Sequence, residues 1–310
     1  MTSTPKISVI VPTFQGGKRL PVILDSLQRQ TIKAFELIIS VDGSTDQSLL
    51  ILENETRFPD LKILFEDNGG RAIAKNRGAR VAGGEILLFF DDDMILPEDC
   101  IQKHVEFHRC HLFSAVGGNP HVYIQENSSD FMKYYSSISQ KWGSYTNQCI
   151  RLSSERFHLS AANFSIHRTL FADLNGFDER LKDSEDLELA YRIVVGAGTL
   201  FYDPVNIAYH NPSYDSLVDY IVRRREYYNG IKALSKINPY FQSHTIIRQG
   251  NMVKKLLYRV FGTYIMLKVG NVLSKNNTFI PDKIKFTVFS LIIHSWSRIY
   301  PEKSLLHSGK

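Results

Sequence analysis

Apolar and polar positions along the first ninety residues switch between two periods. Residues 6–11 (Lys-Ile-Ser-Val-Ile-Val) are rich in β-branched side chains and stop at Pro12, which predicts a buried strand. Leu20, Ile23, Leu24 and Leu27 recur at helical spacing and predict a helix over 17–30. A second strand is expected over 35–41, running into Asp42-Gly43-Ser44-Thr45-Asp46, a turn that also suits the cap of a following helix. Residues 61–65 predict a third strand. Residues 71–82 predict an Ala- and Arg-rich helix ended by Gly83-Gly84. Residues 85–90 (Glu-Ile-Leu-Leu-Phe-Phe) predict a fourth strand that stops at Asp91-Asp92-Asp93.

Near-continuous apolar strands alternating with helices predict an α/β fold, a mostly parallel sheet covered by helices on both faces. In such sheets ligands bind beyond the carboxyl ends of the strands. Three predicted strand ends carry polar clusters: Pro12-Thr13, Asp42-Gly43 and Asp91 to Asp93. Farther on, the pattern predicts a helix over 98–112 and a mixed region over 113–165, with short strands near 114–124 and 161–166. It then predicts a helix over 184–196 with Ser184 as N-cap, a strand over 199–210, and helices from about 215.

Composition narrows the class. The chain has 310 residues, 43% hydrophobic and 22% charged, which excludes a mostly disordered chain, a collagen and a polytopic membrane protein. Cys100, Cys110 and Cys149 form no C-x-x-C pair, so neither a disulfide framework nor a structural zinc is expected. The run Ile7–Val11 is too short for a signal peptide, and no window approaches the roughly 18 apolar residues of a spanning helix. A cytoplasmic protein is therefore expected. Charge is asymmetric: residues 211–310 hold 16 Lys and Arg against 5 Asp and Glu, while residues 1–210 are net acidic. A basic tail is suited to anions, including an anionic membrane surface. Apolar stretches over 252–273 and 284–300, dotted with basic residues, suit an interfacial helix, or a helical subdomain that closes the acceptor side or forms a homo-oligomer. No nucleic-acid motif is present, and none is expected as a partner.

The sharpest chemical feature is Asp91-Asp92-Asp93. Capping a helix needs one carboxylate, and three adjacent ones repel unless a cation is present. Hard divalent cations such as magnesium or manganese are commonly shared between carboxylates and substrate phosphates. Asp42 to Asp46 fits equally a plain turn or a carboxylate that accepts hydrogen bonds from a nucleobase or ribose. Asn68 through Arg77 puts glycines before a basic helix, with Arg71 and Lys75 four apart on one face, an arrangement that suits a diphosphate or plain solvation. His210 is either a third metal ligand or a structural histidine.

The set Val9-Ile10-Val11-Pro12-Thr13-Phe14, Asp42-Gly43-Ser44-Thr45-Asp46, Asn68 through Gly78 and Asp91-x-Asp93 resembles glycosyltransferase family 2. Ala161-Ala162-Asn163-Phe164, Gly176-Phe177-Asp178-Glu179 and Glu185-Asp186-x-Glu188-Leu189 extend the match, which covers roughly residues 6–230. The resemblance implies a GT-A fold, a nucleotide-sugar donor, a divalent cation and transfer with inversion. By it, Asp42 contacts the base, Pro12 and Thr13 line the nucleotide pocket, Asp91 lies near ribose and metal, and Asp93 binds metal. Asn68, Arg71, Lys75, Asn163 and Asp92 fall within the matched motifs and are expected to bind the nucleotide-sugar, Asp92 at a variable position. Some members complete the metal site with a histidine near His210. Inversion needs one general base. Glu185-Asp186 matches the family's acidic base motif, with Asp186 as the base and Glu185 beside it. Locally the same pair would read as first-turn acids of a helix. Gln15, Val41 and Lys75 depart from commoner family residues, and none removes a required group.

The expected organisation is a GT-A catalytic domain over 1–214, with a nucleotide half to about 115 and an acceptor half over 116–214, followed by a basic helical region over 215–310. The expected function is transfer of a sugar, as from a UDP-sugar, to a glycan or lipid-linked acceptor. The alternative is a non-catalytic nucleotide-sugar-binding partner. Nucleotidyltransfer would need a Gly-rich phosphate loop after the first strand, which Pro12 to Lys18 matches poorly.

Overall fold

The computed structural model describes residues 6–196, 198–211, 216–242, 252–276 and 279–305. The chain divides into two compact units, Met1–His121 with Trp142–Asn211, and Val122–Lys141 with Pro212–Lys310. The segment 122–141, expected with the acceptor half, thus groups with the C-terminal residues. The boundary expected at 214–215 lies outside the described residues.

The first unit is built on a sheet of nine strands among the described residues. These are β1 (Ile7–Thr13), β2 (Glu36–Asp42), β3 (Lys62–Glu66), β4 (Ile86–Phe90), β5 (Met94–Ile95), β6 (Ser114–Val122), β7 (Ile150–Arg151), β8 (Asn163–His167) and β9 (Thr199–His210). Their order is β3-β2-β1-β4-β8-β6-β9-β5, with β7 on β9. The strands β3, β2, β1 and β4 run parallel. The pairings β4–β8, β6–β8, β7–β9 and β5–β9 are antiparallel. Helices α1 (Leu20–Gln28), α2 (Ser48–Glu53), α3 (Arg71–Val81), α4 (Cys100–Cys110), α6 (Arg168–Asp173) and α7 (Glu185–Val195) pack on it. The apolar runs of β1, β2 and β4 are buried on both faces, as helix-covered parallel strands must be, whereas β3 at the sheet edge is half-buried, with Phe65 exposed. Side chains alternate along a strand. Accordingly Val9 and Val11 pack with Leu20, Ile23, Leu24 and Val105 on one face. Ile10 packs with Ala72, Phe89, Leu189 and Ile193 on the other. Gly78 lets α3 lie close on β1, because a Cβ there would sit 2.5 Å from Ile10 Cγ2.

Two local expectations are corrected. Ser184 occupies the N-cap position of α7 but sits in the left-handed region (φ 66°), and its side chain does not cap the helix. Gly83 and Gly84 do not end α3; the helix stops at Val81, with Ala82 extended after it. Their N–H groups instead donate to Glu36 and to Ser8 Oγ.

The second unit is helical: α5 (Asp130–Lys141), α8 (Leu217–Ile237), α9 (Met252–Phe261), α10 (Tyr264–Leu273) and α11 (Asp282–His294). Its core joins Phe131, Leu217, Ile221, Leu267, Phe289, Ile292 and Trp296. Lys285, buried on α11, holds Asp130 at 2.5 Å. No helix among the described residues is long and apolar enough to cross a membrane.

Candidate active site

Because β1, β2 and β4 are parallel, their carboxyl ends share one edge of the sheet. That edge carries Pro12-Thr13, Asp42 and the Asp91 to Asp93 triplet, as the pattern predicted. The two-residue strand β5 then pairs with the end of β9, Met94 opposite His210. This pairing sets the imidazole against the triplet: His210 Nδ1 lies 3.2 Å from Asp93 Oδ2, and Nε2 lies 4.0 Å from Asp91 Oδ2. One ligand atom from each of Asp91, Asp93 and His210 falls within 4.8 Å of the others. Asp93 Oδ1 is buried without a hydrogen-bond partner among the described residues. Two carboxylates, one with an orphaned oxygen, and an imidazole suit a hard or borderline divalent cation, so the residues present fit the group expected. Burial would raise the Asp93 carboxyl, but His210 outweighs it and holds it below the usual range. Burial likewise disfavours a charged His210, yet Asp93 and then Asp91 hold the ring up at about 9.

A second group of charges continues from the first. Lys75, buried on α3, reaches Glu185 Oε1 at 2.7 Å and Asp91 Oδ1 at 4.0 Å. Burial works against its charge, but Glu185, Asp91 and Asp186 together raise the ammonium above its ordinary value. Glu185 is itself buried, and Lys75 overcomes that burial to keep it lowered and ionised. Asp186 is next in the first turn of α7, with Oδ2 3.4 Å from the Ala161 N–H and Oδ1 2.7 Å from the Leu187 N–H. Burial, and then the charge of Glu185, push its carboxyl up to about 7. Adjacent acids on one helix turn have thus been driven apart in pKa, the pattern that marks an acid or base poised for proton transfer. Arg71, half-exposed at the start of α3, lies 3.6 Å from Asp183, which precedes α7.

Other candidates make hydrogen bonds within the chain. Asp92 points away from the triplet's other two members: it takes Arg19 at 2.8 and 2.9 Å and the Thr13 hydroxyl at 2.6 Å. Asp92, Arg19 and the Thr13 hydroxyl are thus bonded to one another at the end of β1. Asn163 is fully buried, its amide committed to His104 Nε2 at 2.8 Å and the Asn206 carbonyl at 2.9 Å. Asp42 is buried and accepts the N–H groups of Gly69 and Gly70, both at 2.8 Å, and Arg77 at 3.1 Å. Gly70 meets it with φ 96°, a conformation that favours glycine. Exposed Asn68 donates its side-chain amide to the Asp42 carbonyl, and Pro12 is half-buried within β1.

Sequence reading missed four structural partners: Arg19, Arg77, Asn76 and Asp183. Asn76 bonds both the N–H and the carbonyl of Phe177, which explains the Gly176-Phe177-Asp178-Glu179 motif as a latch from α3 to the loop after α6. The signal for Arg77 and Asn76 was their place in the Asn68–Gly78 motif; Arg19 and Asp183 carried none.

The geometry can be set beside known proteins. The family model described as Glycosyl transferase family 2 matches residues 8–174. The chain is similar to the uncharacterized glycosyltransferase YibD of Escherichia coli, 40% identical over 31% of this chain and 29% of that one. It is also similar to the poly(ribitol-phosphate) β-N-acetylglucosaminyltransferase TarS of Staphylococcus aureus, 29% identical over 58% of this chain and 31% of TarS. The chain thus spans about a third of the length of these two relatives. Among solved structures, the mannosyltransferase PcManGT of Pyrobaculum calidifontis, in complex with GDP-Man and Mn2+, aligns with a TM-score of 0.61. It is 16% identical, over 97% of this chain and 89% of that one. TarS residues 1–349 with UDP-GlcNAc align with a TM-score of 0.52 at 18% identity, over 96% and 91% of the two chains. These likenesses establish the GT-A fold. With more than half of its length matched by the family model, the chain belongs to glycosyl transferase family 2.

Proposed function

We propose that the protein moves a sugar, with inversion, from a nucleotide-sugar to an acceptor hydroxyl, using a divalent cation held by Asp91, Asp93 and His210. Manganese or magnesium bound there would neutralise the charge that grows on the leaving diphosphate. Asp186 takes the proton of the acceptor hydroxyl as the sugar–oxygen bond forms. A general base works best when its pKa lies near the working pH, and Asp186 at about 7 meets that condition. Lys75 keeps Glu185 ionised, and ionised Glu185 holds Asp186 up. The observation that carries the reading is this unbroken ionic line, from His210 through Asp91 and Lys75 to Glu185, with Asp186 next to it.

PcManGT was solved with GDP-Man and Mn2+ and TarS with UDP-GlcNAc, which supports a nucleoside diphosphate sugar as donor; a UDP-sugar is our preferred reading. TarS is named for a poly(ribitol-phosphate) acceptor; for this chain the acceptor on this reading is a surface polysaccharide or glycolipid. Residues 1–214 form the catalytic part on this reading.

The test is Asp186→Asn, followed by release of nucleoside diphosphate and by thermal shift. Turnover falls by about 10²–10⁴-fold, while stabilisation by nucleotide with metal is retained. Undiminished turnover contradicts the assignment. Nucleotide binding without turnover in the unaltered protein leaves a nucleotide-sugar-binding partner instead.

A further inference from the structure

The second unit contains helices whose apolar sides face water. On α9, Val253, Leu256, Leu257 and Val260 follow i, i+3, i+4, i+7 spacing and so share one face. All four are exposed, Val253 at 65% and Leu256 at 62%. On α10, Leu267, Gly270 and Leu273 are buried, yet Ile265 (75%), Val269 and Val272 (62%) line another face and are exposed. Exposed Ile284 begins the same pattern on α11. Single exposed apolar residues are ordinary, but rows at helical spacing on consecutive helices mark an interaction surface.

The charge around these rows selects the occupant. Residues 227–281 hold eight Lys and Arg and no Asp or Glu. Lys254, Arg259, Lys268 and Lys275 within it are exposed, as is Lys283 just beyond. A second copy of this chain would bring the same positive charge to the surface, which opposes self-association there. A hydrophilic polyanion would answer the charge but leave the apolar rows in water. Apolar rows flanked by basic residues are satisfied together where acyl chains meet anionic headgroups.

We propose that the exposed faces of α9 and α10 dock the protein on an anionic lipid leaflet. Leu256, Val260, Ile265 and Val272 enter the acyl boundary, and Arg259 and Lys268 meet the headgroups. Binding needs neither donor nor turnover, so it stands or falls independently of the catalytic reading.

The test is flotation of the full-length protein with phosphatidylcholine vesicles containing or lacking 30% phosphatidylglycerol. The design uses a low and a high salt concentration, and light scattering measures mass without lipid. The protein is expected to float with the anionic vesicles, less so at high salt. Leu256→Glu with Ile265→Glu should weaken binding at least about tenfold. Arg259→Gln with Lys268→Gln should weaken it about fivefold per charge removed. Each substituted side chain is exposed, so unchanged melting temperatures and nucleotide-induced shifts establish folding. The proposal is overturned by failure of the unaltered protein to float, or by flotation that survives the Leu256→Glu, Ile265→Glu pair. A dimer dissolved by that pair, without lipid binding, would also overturn it and assign the face to a second copy.

Discussion

Asp92 and Asp93 are neighbours in sequence and opposites in the structure. Asp92 has both oxygens bonded, to Arg19 and Thr13, and is satisfied within the fold as Asn163 and His104 are. Asp93 keeps a buried oxygen without a partner among the described residues and faces an imidazole instead of a guanidinium. The difference teaches which polar groups are scaffold and which are site. Folding satisfies nearly all buried polar atoms, so a buried carboxylate left short of partners beside other ligand groups points to something the chain alone does not supply. The same contrast separates Glu185, paired and ionised, from Asp186, whose carboxyl is raised by burial and by that neighbour.

The comparison breaks most visibly at its joint. Lys75→Met removes the cation shared by the two halves of the site and leaves Glu185 buried without its partner. A loss of about 3–5 kcal/mol is expected in urea unfolding, since orphaning a buried charge costs more than the pair contributes. An unfolding midpoint like that of the unaltered protein would mean that Lys75 does not organise the site.

On the scaffold side, Arg19→Ala strands Asp92. Because Arg19 is partly exposed, a smaller cost of about 2 kcal/mol is expected in the same measurement, with metal-dependent nucleotide binding kept. If that binding vanished while the fold held, Asp92 would belong to the site.

The buried histidines give a pH prediction. Burial pushes His104 down to about 4; burial, and then His104 and His167, push His108 down to about 3. Unfolded, each titrates near 6.5, so below that pH the unfolded chain binds the extra protons. Their contribution is therefore present above about pH 6.5 and lost as pH falls towards 4, by up to about 1.4 kcal/mol per pH unit for each. Urea midpoints between pH 7 and 5 measure this; His158, pushed down to about 4 by burial, contributes in the same way, so His108→Asn should remove about a third of the slope.

The smallest expected effect sharpens the acid pair. Activity should fall as pH drops through about 7, where Asp186 becomes protonated. Glu185→Gln removes a like charge and should move that limb to lower pH in a pH profile of kcat/KM. An unmoved limb would assign it to another group.

Much of this was legible from the chain. Asp91 to Asp93 lie in the turn between β4 and β5, closed by the Met94 N–H on the Asp91 carbonyl, so strand alternation does not apply and the separate fates of Asp92 and Asp93 were not readable from spacing. The parallel strand ends were readable from apolar runs cut off by Pro12, Asp42 and Asp91. Long-range pairing was not readable. Asn163 meets His104, 59 residues away, and nothing local announces it. α5 packs with residues more than eighty positions later, so its grouping with the C-terminal unit had no local signal either. Ser184 resembles an N-cap by type, but a left-handed backbone turns its hydroxyl away from the helix.

The most direct measurement compares Asp93→Asn with Asp92→Asn in a thermal-shift panel of UDP, GDP, CDP and dTDP, with and without manganese. The unaltered protein should be stabilised by one diphosphate in a manganese-dependent way, as mass action requires of a ligand that binds the folded state. Asp93→Asn should abolish that dependence, and Asp92→Asn should lower the starting melting temperature but keep it. The account is contradicted if Asp93→Asn retains the manganese-dependent shift, or if Asp92→Asn is the variant that loses it.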